Sequence, residues 1–270
     1  MTAALSFDKI TVTFSGKSGG AGYTAVKDTT VNIADGEFVS VVGPTGCGKS
    51  TLLNIGAGLL KASSGMVKVF GEPLTGLNAK AGYMFQAESL MPWRSALDNV
   101  TAGLQFRGMD ATAAARLGEE WLDRVGLTGF GNRYPHEMSG GMRKRCALAQ
   151  MLILDPKILL MDEPFSALDI QTRQLMENEL LELWNANRKS VIFITHDLEE
   201  AISMSDRVIV LAAGPATHPI GEFVIDLPRP RDVAEIRMTP HFLELHEKIW
   251  HTMKEEVLKG YAQTKNRVLA

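Results

Sequence analysis

Between Gly43 and Thr51 the chain reads GPTGCGKST, the spacing GxxxxGK[ST]. Those residue types suit a phosphate chain. Gly43, Gly46 and Gly48 let the backbone curl until successive N–H groups point inward at an anion, and a helix opening there adds its positive end. Lys49 can reach the outer phosphates, and Ser50 can ligate Mg²⁺. Pro44, Thr45, Cys47 and Thr51 complete the loop and count with its nucleotide-binding residues. A chance match in a glycine-rich turn is the bland alternative.

A triphosphate needs its charge offset, and Mg²⁺ prefers oxygen ligands, so a carboxylate is expected at the end of a neighbouring strand. ILLMDEP supplies it. Asp162 follows four apolar residues and is placed to hold the metal. Glu163 comes directly after it and points elsewhere, where it can orient or deprotonate an attacking water. Without the phosphate loop, an Asp-Glu pair at a strand end reads as simple solvated termination.

These groups need a sheet to hold them. Phe38 to Val42 is short, β-branched and bounded by Gly43, which predicts a buried strand, and Lys49 to Leu60 has apolar residues at helical spacing. Upstream, LSFDKITVTF and TTVNIADGEFVSVV are strand-like, separated by the glycine-rich insert SGKSGGAGY, which reads as a flexible loop. From about residue 87 to 154 the pattern turns helical, with Leu117, Trp121, Leu122 and Val125 on one face. Strand signals return in KILLMDEP, SVIFITHD and RVIVLAAG with helices between them, the pattern of a mostly parallel sheet with crossover helices. The tail spaces Phe242, Leu245, Ile249, Trp250, Met253 and Val257 as an amphipathic helix, expected to dock on its own domain.

Composition narrows the function classes. The 270 residues are 45% hydrophobic and 22% charged, as in an ordinary globular protein, and the net charge of -3 implies no general affinity for nucleic acid. Cys47 and Cys146 are the only cysteines, so no disulfide framework is expected and a reducing compartment is. The start lacks a basic segment followed by a long apolar core, so no signal peptide is expected. No stretch approaches the roughly 18 uninterrupted apolar residues of a membrane span. A role at a membrane would require a tethering partner.

Up to this point a kinase and a hydrolase are served equally, and MSGGMRKRCALAQ, residues 138–150, separates them. Ser139, Gly140 and Gly141 open a helix and offer a second anion site. In order, the chain has the phosphate loop, YMFQ ending in Gln86, MSGGM before a basic helix, LLMDEP, SALD, and ITHD with His196. This series resembles the nucleotide-binding subunits of ABC transporters over nearly the whole chain. It departs from the usual LSGGQ at Met138 and Met142, and from the family's arginine at Gln150, which puts that arginine's local contacts in doubt.

The resemblance implies an α/β fold: a P-loop NTPase core with a mostly parallel sheet, a β-rich N-terminal part and a helical subdomain insertion. The ATPase domain would span 1–230, with its core at 1–86 and 155–230 and the insertion at about 87–154, and 231–270 would form a C-terminal helical extension. It further implies ATP and Mg²⁺ as cofactors and a homodimer facing head to tail, each signature closing on the γ-phosphate held by the other subunit. Lys49, Gln86, Glu163 and His196 would be catalytic. Ser50, Gln86 and Asp162 would hold the metal, Asp169 of SALD would cross the interface, and His196 would bond the γ-phosphate. Taken singly, Gln86 reads as a surface amide, Asp169 as a helix cap and His196 as a strand-end histidine. Adenine would stack on an aromatic upstream of the loop, Phe14 by its position, with Tyr23 as the alternative.

FQAESLMPWRSALDNV and DLPRPRD resemble the importers of nitrate, sulfonate, taurine and related small compounds. After Asp232 about forty residues remain, too few for a typical further domain. The partners implied are two transmembrane subunits and, through them, a solute-binding protein, with no nucleic acid, at the cytoplasmic face of the inner membrane. Leu90, Pro92 and Trp93 would border a groove for a helix of the transmembrane subunit, unless they are a packed loop. DNA-repair and translation ATPases of the family need a long coiled-coil insertion or two tandem cassettes, and this chain has neither.

Overall fold

A computed structural model describes residues 2–15, 22–87, 89–166 and 168–268, with side chains as far as Gly260. Most of the glycine-rich insert, and Ala167 of SALD, lie outside the described residues. The first two strands, β1 (Ala3–Phe14) and β2 (Tyr23–Ala34), join β4 (Ser64–Val69) and β5 (Glu72–Pro73) in an antiparallel sheet of order β2-β1-β4-β5. The second sheet holds β3 (Phe38–Val42), β6 (Ala81–Met84), β7 (Ile158–Asp162), β8 (Ser190–Ile194), β9 (Arg207–Leu211) and β10 (Pro219–Val224), in the order β10-β9-β3-β8-β7-β6. All its pairings are parallel except β9 with β10.

TTVNIADGEFVSVV therefore divides between two sheets. Its first half ends β2, and its second half is β3, an interior strand of the mostly parallel sheet. Every residue of β3 is buried, because apolar layers cover both faces, as continuous apolar strands require. Val39 and Val41 face the layer between the sheets with Leu5, Phe7 and Ile33, where α1 (Lys49–Gly56) also inserts Leu52, Leu53 and Ile55. On the other side Phe38 packs against Trp184 of α5 (Ile170–Ala186), ring centroids 5.6 Å apart. Val42 meets α6 (Leu198–Met204).

Three helices lie between β6 and β7: α2 (Ala96–Phe106), α3 (Ala111–Arg124) and α4 (Gly140–Leu152). Each begins at a residue whose side chain accepts the free N–H groups of the first turn, namely Ser95, Asp110 and Ser139. They share an apolar cluster in which Leu122 and Val125 are fully buried and Leu117 and Trp121 partly so.

The motif DLPRPRD is a latch on α6. Arg231 is buried and donates to the carbonyls of Ile202, Ser203, Ser205, Ile225 and Leu227. It thus satisfies acceptors that the end of α6 leaves open. Beyond it come α7 (Val233–Ile236) and α8 (Pro240–Val268). Phe242, Leu245, Ile249 and Met253 bury the apolar face of α8 against α6 and β9, with Val257 packed beside them. Trp250 does not belong to that stripe: it is 40% exposed, because at one residue past Ile249 it is turned about 100° around the helix axis.

Candidate functional site

The loop after β3 has the shape that its glycines permit. Gly46 and Gly48 have φ of +74° and +115°, values that side chains rarely adopt. Gly48 is also hemmed in, since a Cβ there would lie 3.1 Å from Thr217 and 3.2 Å from the Ala25 carbonyl. Lys49 is buried, and its ammonium donates to the carbonyls of Gly43 at 2.8 Å and Pro44 at 3.0 Å. Cys47 is buried behind the loop, and burial raises its thiol pKa. Ser50 and Thr51 start α1.

Asp162 ends β7 next to this loop, and it too is buried. Burial raises its carboxyl pKa, while the Ser50 hydroxyl and the Lys49 ammonium pull it down. Its Oδ1 is enclosed and has no hydrogen-bond partner among the described residues. A buried carboxylate oxygen without a donor calls for a cation, and carboxylate, hydroxyl and the nearby amide of Gln86 are the hard oxygen donors that Mg²⁺ takes.

Glu163 is turned away from Asp162 by a left-handed backbone, φ +45°, held by its N–H donating to the Ile194 carbonyl at 2.9 Å. Such a conformation costs of order 1–3 kcal/mol at a residue other than glycine, and it is typical of functional positions. It brings Glu163 Oε2 to 3.1 Å from Gln86 Nε2 and 3.2 Å from His196 Nδ1. Three residues from three strand ends thus meet at one oxygen.

The signature forms a second face. Ser139 caps α4 by accepting the Met142 N–H, and Gly141 sits where a Cβ would lie 3.0 Å from Thr172. Asp169, the cap of α5, accepts the Thr172 N–H at 3.0 Å, which helps to hold its carboxyl below the usual range. Ser139–Gly141 and Asp169 therefore adjoin within one chain. The departures from the family pattern are accommodated: Met138 is buried and Met142 partly buried in the cluster of α2–α4, and Gln150 donates to the Asn99 carbonyl.

Phe14 and Tyr23 are register partners at the ends of β1 and β2, so the two adenine candidates stand side by side. Phe14 is 42% exposed, and Tyr23 packs partly into the core. Pro92 and Trp93 are exposed, whereas Leu90 is buried under α2–α4. Trp93 is not a core residue.

Several site residues escape sequence reasoning. Lys144 sits in the RKR of the basic helix, and it is buried and donates to the Gln86 carbonyl at 2.9 Å, tying α4 to the start of the glutamine segment. Arg173 joins the SALD turn to the histidine turn through the Leu168 carbonyl and Asp197, at 3.2 and 3.1 Å. The far half of α8 runs to the phosphate loop: a cleft of about 300 Å³ is lined by Gly43, Pro44, Thr45 and His196 on one side and Met253, Val257 and Gly260 on the other. Nothing in the local sequence gives these contacts.

The family model described as ABC transporter matches residues 26–166. An uncharacterized ABC transporter ATP-binding protein of Methanocaldococcus jannaschii is 46% identical over 87% of this chain and 86% of its own length. The taurine import ATP-binding protein of Pelagibacter ubique is 40% identical over 87% of this chain and 90% of its own. The nitrate import ATP-binding protein of Synechococcus elongatus is 39% identical over 95% of this chain, which spans 39% of that protein. A dimeric structure of the ATP-binding cassette MJ0796 in a post-hydrolysis state with ADP and Pi superposes with a TM-score of 0.74 at 31% identity, covering 83% of this chain and all of the other. Together with the loop, the carboxylates and the signature, these matches mean that the chain belongs to the ABC transporter ATP-binding family and is an ATPase with the ABC fold.

Proposed function

We propose that two copies of this chain, face to face, drive an importer for a small anion or a nitrogen or sulfur compound of the nitrate, sulfonate or taurine type. The observation that carries the catalytic part is the meeting of Gln86, Glu163 and His196 at one carboxylate oxygen beside the phosphate loop. ATP enters with its phosphates on the loop N–H groups from Gly43 to Thr51, and Lys49 exchanges its two backbone carbonyls for phosphate oxygens. Adenine stacks on Phe14, the more exposed of the paired aromatics. Ser50, Asp162 and Gln86 would hold Mg²⁺, which offsets charge on the outer phosphates.

Glu163 takes the proton from water as the water attacks the γ-phosphorus. His196, on the other side of the same carboxylate, donates to a γ-oxygen. Charge growing on the transferred group is met by Lys49 and, from the second copy, by Ser139, Gly140 and Gly141, with Asp169 crossing beside them. The signature and Asp169 form one continuous face, which supports the view that they serve the partner's nucleotide together.

Among the described residues no helix is long and apolar enough to cross a membrane. Attachment to the cytoplasmic face then falls to two transmembrane subunits, which also receive cargo from a solute-binding protein. Trp93 and Phe106, 73% and 77% exposed, are the apolar side chains offered for that contact. The similarity to nitrate and taurine import proteins supports the cargo class.

Glu163→Gln tests the catalytic core of this reading. The amide keeps the shape and loses the base, so turnover should fall by about 10²-fold or more while Mg-ATP accumulates a dimer on size-exclusion chromatography. Near wild-type turnover would remove Glu163 as the base.

A further inference from the structure

The face on which a second copy must close is already partly occupied by this chain's own C-terminal helix. The root of α8 is anchored, since Phe242, Leu245, Ile249 and Met253 are buried in the core cluster. Past Met253 the attachment changes character. Val257 is partly buried, Leu258 is exposed, and the helix is tied by Glu256, whose Oε2 accepts the Ala213 N–H at 2.7 Å. Ala213 lies just past the end of β9, on the same side as the loop. One turn on, Gly260 meets Pro44: a Cβ at Gly260 would be 3.0 Å from the Cβ of Pro44. Glycine is a poor residue for the interior of a helix, and this close approach is what it permits. The helix continues to Val268.

The residues that the far half of α8 faces, Pro44, Thr45 and His196, are those that the partner's signature and Asp169 would approach in the proposed dimer. We propose that this half of α8 is an intramolecular competitor for the second copy: docked, it keeps the chain monomeric, and ATP-driven pairing requires it to swing off the loop about a point just after Met253. The inference rests on the head-to-tail dimer proposed above. A firmly buried root followed, between Met253 and Gly260, by an attachment through Glu256, the partly buried Val257 and the approach to Pro44 is a construction that permits local release. The affinity of one copy for another is then reduced by the fraction of chains with α8 released.

Two variants loosen the tip without substituting any nucleotide-binding residue. Glu256→Ala removes the tie to Ala213, and Gly260→Leu places a wedge against Pro44. Each is made in the full chain on the Glu163→Gln background, and the ATP concentration for half-maximal dimer is read by size-exclusion chromatography or light scattering. ADP affinity of the monomer is measured beside it. Both variants should lower the ATP midpoint roughly fivefold or more, with ADP affinity unchanged. An unchanged midpoint in both, or a raised one, overturns the inference, the latter because α8 would then belong to the dimer interface. A gain in ADP affinity equal to the shift also overturns it, because α8 would then block nucleotide rather than the partner. If the Glu163→Gln parent itself never dimerises with Mg-ATP, the dimer reading and this inference fall together; a parent that dimerises with an insensitive midpoint removes this inference alone.

Discussion

The chain opens two helices with glycine-rich turns, and it supports them in opposite ways. The phosphate loop is set at the end of the fully buried strand β3, flanked by β8 and β9, with Gly48 pressed against Thr217 and Ala25 and Lys49 buried below. The signature turn has only its underside packed: Met138 and Lys144 are buried, while Ser139 is exposed at the cap of α4. A turn enclosed by its own chain is a finished receptor. A turn that presents a serine outward and two half-buried glycines, beside Asp169, is half of one. The difference predicts that damage to the first abolishes binding, whereas damage to the second spares binding and slows the reaction.

The largest effect should come from Lys49→Ala. Hydrogen bonds from a charged donor contribute about 1.5–3 kcal/mol, so nucleotide affinity should fall by about tenfold to a hundredfold and turnover should become hard to detect. Fluorescent-nucleotide binding and phosphate release check both. Retained affinity would mean that the loop is not the receptor. Ser139→Ala is the contrasting case: affinity of the monomer should stay as it is, and turnover should drop about tenfold or more through loss of one donor to the developing charge. An equal loss of affinity in the two variants would place Ser139 in its own chain's pocket and remove the contrast.

The two regions are connected through Lys144, whose ammonium holds the Gln86 carbonyl while the Gln86 side chain reaches Glu163. Lys144→Met fills similar space and leaves the carbonyl without this donor. Because Lys144 acts through Gln86 as a positioning residue, turnover should fall several-fold with the KM for ATP nearly unchanged, and Lys144→Arg should restore part of it. A matched loss in both parameters with no rescue would mark Lys144 as packing alone.

How much of this was legible in the sequence follows from what each feature depends on. The loop, Asp162-Glu163, Ser139–Gly141 and His196 are local demands: a positive φ, a cap, a carboxylate at a strand end. Those leave their mark in consecutive residues. The division of TTVNIADGEFVSVV between two sheets is not local; the short turn at Asp35–Gly36 looks the same whether the next strand pairs with its neighbour or leaves for another layer. Lys144 reads as one cation among three, because helical spacing gives its angle on α4 but not which neighbours face that angle. Trp250 fits an apolar stripe by proximity to Ile249 and falls outside it by rotation. The reach of α8 to Pro44 depends on where its root docks, about ten residues after the latch at Arg231 begins to turn the chain.

The smallest effect on the isolated chain, and the sharpest test of the outer surface, is Trp93→Ala. Trp93 is 73% exposed and belongs to no core cluster, so truncation leaves no cavity. Exposed substitutions of this kind usually stay within about 0.5 kcal/mol, which for a chain of this size shifts the melting temperature by less than about 2 °C. Basal ATP turnover and dimer formation should therefore match the wild type. The loss should appear only with the membrane subunits present, because an aromatic anchor seated in an interface pocket costs on the order of 2 kcal/mol or more when truncated. That corresponds to roughly thirtyfold weaker assembly. Melting and co-purification on one preparation decide the matter. A variant that melts normally and still assembles normally would leave Trp93 an ordinary exposed side chain. One that melts early and loses every activity together would place the residue among the packing contacts, and the phosphate loop and signature would then share their support with this surface instead of standing apart from it.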